Sequence, residues 1–104
     1  MAELEGNTEL LRRLADLHFS NTPTLVHRLR AGLRAQAVEE VERPAHALKS
    51  SLAQFMAHGA ATRARKLEEA ARRRDLPGAG ALLDELERDL AEFDADLKEF
   101  LKQL

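Results

Sequence analysis

The residues of this chain whose types and spacing could do chemistry are His46 and Lys49, set three apart in "PAHALKSSLAQFMAHG". An unprotonated imidazole nitrogen is a nucleophile near neutral pH, and it can attack phosphorus to form an N–P bond reactive enough to hand the group on. Such transfer depends on in-line positioning and on cations that offset charge at the phosphoryl oxygens, a role an ammonium one helical turn away can fill. Drawn as a helix turning about 100° per residue, the segment has an apolar stripe of Val38, Val41, Ala45, Leu48, Leu52 and Phe55. His46 falls about 130° from the centre of that stripe and so faces out of the core. Its own sector holds Glu42, Lys49, Ser50, Ala53 and Ala57, so small side chains floor the two turns after the imidazole and a partner can lie close there.

The remaining chemistry-bearing residues read differently. His18 lies on the core stripe of the first helical segment, which predicts a buried imidazole with a hydrogen-bond partner, whereas His27 and His58 read as surface residues. No helical HxxxH or ExxH pair brings two ligands together, so a metal site is not expected. There is no cysteine, which removes disulfides and thiolate chemistry and fits a reducing compartment, with the cytoplasm as the default. There is no glycine-rich phosphate loop, no Walker motif and no acidic metal cluster, so the chain itself is not expected to use ATP. The basic run "TRARKLEEAARRRD" lacks the aromatic platforms of single-strand binders and precedes an acidic helix, which points to charge pairing within the chain and away from nucleic acid. No apolar run reaches the roughly 20 residues that span a bilayer. The N-terminus "MAELEGNTEL" is acidic where a signal peptide is basic.

The elements that must position His46 are helices. Ala, Leu, Glu and Arg dominate, Ile, Tyr and Trp are absent, and the 104 residues suit a single domain over 1–104. The last segment carries Leu82, Leu86, Leu90, Phe93, Leu97, Phe100 and Leu104 at spacings of three and four, and predicts a helix over about 79–102. "DLPGAG" before it reads as the tight turn, after a helix over about 60–75 whose inward stripe is Ala60, Ala64, Leu67 and Ala71. "SNTPTL" could be a stop and a new start, but Leu11, Leu14, His18, Leu25 and Leu29 keep one phase across it, so one helix over about 8–35, kinked near Pro23, is expected. The histidine helix is expected over about 38–57, stopped by Gly59. Four helices with short connections and one apolar stripe each predict an all-α, antiparallel up-down-up-down four-helix bundle.

"AHALKSSLAQFMA" resembles the signature of histidine-containing phosphotransfer (HPt) domains: His, any residue, Leu, Lys, Gly, two small residues, and a second Gly about ten residues after the His. The similarity extends upstream through "LLRRLADLHFSNTPTLVHRLRAGLRAQAVEEVERPAH" and downstream through "LEEAARRRD". The resemblance implies a four-helix bundle with His46 as an exposed phosphoacceptor, Lys49 neutralising phosphoryl charge, and Gln54 as possible polar support. Ser50, Ala53, Met56 and Ala57 would then form the docking floor. Ser50 stands in place of the family's glycine and Met56 in place of its second glycine.

The implied function is that of a monomeric phosphorelay intermediate, a stoichiometric carrier taking a phosphoryl group from a receiver-domain aspartyl phosphate and passing it to another receiver. It would bind no cofactor, Mg2+ being expected on the receiver, and its partners would be response-regulator receivers and possibly a hybrid histidine kinase. The alternative is an HPt-like interaction module that binds a receiver or kinase without carrying phosphate. A plain helical scaffold or dimerisation module would need apolar residues on a second face, for which Leu83 and Leu101 beside the last stripe are the only sign in that helix.

Overall fold

The structure, a computed structural model, describes residues 8–104. Four helices follow one another: α1 (Thr8–Arg34), α2 (Val38–Gln54), α3 (His58–Arg72) and α4 (Leu76–Lys102). Each packs on its sequence neighbour, and α1 closes the ring against α4, giving the four-helix bundle expected from the apolar stripes. α1 runs unbroken through Pro23, one helix across the segment that could have been two. The core is Leu29, Val41, Leu48, Leu52, Leu67, Leu83 and Leu86, filled in by Ala45, Ala64, Ala70, Ala71 and Ala79 where the helices approach closely. Leu83 is therefore a core residue and not part of a second apolar face. Polar contacts stitch the seams: Arg30 donates to Asp84 and Glu87 of α4, and Arg63 of the basic run donates to Glu85 and Asp89.

The turns differ from their sequence reading in an instructive way. α2 ends at Gln54, α3 begins at His58, and α4 begins at Leu76, so Gly59, Pro77, Gly78 and Gly80 all lie inside helices. Pro77 is tolerated because first-turn N–H groups have no helical acceptor to lose, and Asp75 caps the same turn by accepting from the Gly78 amide at 3.0 Å. The chain reverses instead at Gln36, Met56 and Arg74, each with φ between 53° and 65°. At each, the next residue's amide reaches back five positions, as Ala57 does to the Leu52 carbonyl at 3.1 Å, the pattern of a left-handed helix cap. None of the described glycines has positive φ. Met56 thus occupies a backbone conformation that favours glycine. Replacing Met56 by Gly should raise stability by about 0.5 to 1 kcal/mol in urea unfolding, relief of left-handed strain exceeding the entropy a glycine loses. Met56→Ala keeps the strain and should show no gain. Gly32 serves packing: a Cβ there would stand 3.0 Å from the backbone carbonyl of Glu40, where α1 and α2 come together.

At the other end of the α1–α2 pair, His18 is buried among Phe19, Phe55 and Phe93, with ring centroids 5.2 to 5.6 Å away in edge-on geometry. Its Nε2 lies 2.6 Å from Asp94 and its Nδ1 3.2 Å from the Thr22 hydroxyl. The buried, hydrogen-bonded imidazole expected from the helical phase is what the structure has. This aromatic cluster caps the core, and α1 and α4 continue past it.

Candidate functional site

His46 sits midway along α2 with its side chain 60% exposed. Val41, Ala45, Leu48 and Leu52, all buried, anchor the opposite face of the helix, so the imidazole rides on a fixed backbone. Lys49 follows one turn on, partly buried, and Ser50 and Ala53 are exposed beside it with Ala57 partly so. Met56 is exposed at the turn that ends the helix. Gln54, the last residue of α2, lies about 12 Å along the axis from His46. The polar group that touches the imidazole belongs to another helix.

That group is Glu68 of α3. Its carboxylate is 5% exposed and stands between the two residues singled out by sequence, with Oε2 2.8 Å from His46 Nδ1 and Oε1 2.9 Å from Lys49 Nζ. Arg72, one turn further along α3, lies 3.5 Å from the same Oε2 and donates to Glu42 of α2 at 3.1 Å. Burial works against the charge on Glu68, but hydrogen bonds from Lys49 and then His46 outweigh it and hold the carboxyl below its ordinary range. A carboxylate can only accept, so the short contact requires the proton on Nδ1 of His46. In an imidazole with that one proton, the lone pair is then on Nε2.

The sequence did carry a signal for Glu68. It lies about 70° from the centre of the stripe Ala60, Ala64, Leu67 and Ala71, at the edge of the inward sector where an acidic residue needs a partner. Nothing local says that the partner is 22 residues upstream. Of the basic run, Arg63, Arg65 and Arg72 are engaged in ion pairs with acidic residues of the chain. Among the described residues no cluster of three or more His, Cys, Asp or Glu is arranged to hold a metal ion, and no helix is long and apolar enough to cross a membrane.

A family model described as "Hpt domain" matches residues 13–96. Among solved structures, the crystal structure of histidine-containing phosphotransfer protein B (HptB) from Pseudomonas aeruginosa PAO1 superposes with a TM-score of 0.91 at 25% sequence identity, over 99% of this chain and 90% of that one. No curated protein matches the chain.

Proposed function

The chain belongs to the Hpt domain family, a family of phosphoryl carriers, and from that membership we propose that His46 is its phosphoacceptor and that it relays phosphate between receiver domains. The observation that supports the assignment is the Glu68 contact, which holds the proton on Nδ1 of an imidazole 60% exposed and leaves the lone pair on Nε2. The Nε2 lone pair attacks the phosphorus of a receiver's aspartyl phosphate. As the N–P bond forms, the P–O bond to the aspartate breaks and its electron pair returns to that carboxylate. The imidazole keeps its Nδ1 proton and becomes cationic, and Glu68 offsets that charge. Onward transfer reverses the same steps on a second receiver.

Lys49 is held at 2.9 Å by Glu68, so in this reading it turns from that carboxylate toward the phosphoryl oxygens when the group arrives. The exposed floor of Ser50, Ala53, Ala57 and the rim at Met56 receives the partner, with Gln54 at its far edge. The 104 residues act as one domain without a cofactor, Mg2+ being supplied by the receiver, and the setting is the cytoplasm. The test is to incubate the chain with a phosphorylated receiver domain. Label that is acid-labile and alkali-stable should appear on it, as a phosphoimidazole requires. Receiver binding without any such label would favour the module that docks and carries nothing.

A further inference from the structure

We propose that the part of the bundle beyond the aromatic cap, built from residues 10–17 of α1 and 97–104 of α4, is a self-association surface that receives the same surface of a second copy of this chain.

The two outer helices are 27 residues each, whereas α2 and α3 have 17 and 15. The ring contacts of Phe55 with His18 and Phe93 mark where α2 stops, so about ten residues of α1 and of α4, roughly 15 Å, continue with no second layer among the described residues. Their apolar residues did not stop with the layer. Phe100 and Leu104 continue the stripe of Leu86, Leu90 and Leu97, yet are 47% and 50% exposed, and Leu10 and Leu17 are 43% and 57% exposed.

Helical phase fixes which side they occupy. On α1, Gly32 meets α2 while Arg30 reaches α4. Leu10, Leu14 and Leu17 lie within about 60° of Gly32 around the axis and more than 120° from Arg30. On α4, Asp89 meets α3 through Arg63, and Phe100 lies about 20° from Asp89. Both sets therefore point to where α2 and α3 would lie if they were longer.

The missing layer has the shape of two antiparallel helices of the same length as the extension, and the extension is itself such a pair with one apolar face. A two-fold axis that places each extension in the other's open side completes a four-helix bundle from two copies. Charge permits it. Around the face α1 carries Arg13, exposed and paired with Glu9 of its own helix, and α4 carries the exposed Asp96, each about 60° to 70° from the centre of its helix's apolar set. A mate presents opposite signs to both helices. Each extension is roughly 15 Å by 20 Å, which with surface relief buries about 1,000 Å² over the two copies, at the low end of specific interfaces. The association is accordingly weak and concentration-dependent. His46 lies about 13 Å along α2 from Phe55 and stays open in such a dimer.

Sedimentation velocity on the full chain, from about 5 to 500 µM, should show the mass rising from one chain toward two. Small-angle scattering at the upper end should give a particle roughly 70 Å long, against 43 Å for one copy. Phe100→Glu and Leu17→Glu should each hold the chain monomeric at every concentration, with unchanged helical circular dichroism and unchanged phosphoryl transfer. A single-chain mass at 500 µM overturns the proposal. Undiminished dimerisation of both variants, or a compact side-by-side dimer, overturns it as well.

Discussion

A chain carrying His46→Gln takes up no label from a phosphorylated receiver domain, a loss of about 1000-fold or more in transfer, while its unfolding free energy stays within about 1 kcal/mol of the parent. The two halves of this result have separate causes. Transfer needs an unshared nitrogen pair, and a carboxamide has no nucleophilic nitrogen to offer. Of the other imidazoles, His18 is buried under the aromatic cap and His27 and His58 stand on other elements, so none can stand in. Stability needs the opposite face of α2, which the substitution leaves intact, and the glutamine amide can still donate to Glu68. Binding of the unphosphorylated receiver should change by a few-fold at most. Label surviving in the variant would move the phosphoacceptor to another residue.

Glu68→Ala slows transfer by about 10- to 100-fold, which corresponds to roughly 1.4 to 2.7 kcal/mol in the barrier. Two contributions are removed at once: the acceptor that keeps the proton on Nδ1, and the negative charge that offsets the phosphoimidazolium. Glu68→Gln separates them, since its carbonyl can still accept from Nδ1 but carries no charge, and its rate should fall between those of parent and alanine variants. Stability falls less than for a fully buried pair, about 1 to 2 kcal/mol, because His46 and Lys49 remain 60% and 30% exposed and are rehydrated when the carboxylate goes. Acid titration gives an independent readout. Glu68 has a lower pKa folded than unfolded, so it contributes stability above the ordinary carboxylate range, and that contribution is lost as pH falls from there through the folded value. The parent should therefore lose more stability than Glu68→Gln on going from neutral to strongly acidic solution. Equal transfer rates in parent and alanine variants would leave Glu68 a purely structural ion-pair partner.

The four helices, their inward stripes and the outward aim of His46 were legible in the chain itself, because three-and-four spacing is a local property that one helix expresses without its neighbours. The buried, partnered His18 could be read the same way, from phase alone. Punctuation was less legible. Glycine and proline mark helix ends only on average, and here Gly59, Pro77 and Gly78 went to first turns, while Gln36, Met56 and Arg74 took the left-handed positions, held by packing of the helices on either side. Phe100 and Leu104 have the phase of core residues, but phase says which way a side chain points and not whether anything is there to cover it; the shorter α2 and α3 decided that. Glu68 is the sharpest case. The motif supplies the imidazole and the ammonium within one turn of one helix, and only the packing of α3 against α2 sets a carboxylate between them, since a contact 22 residues apart depends on how two helices register and not on what either contains.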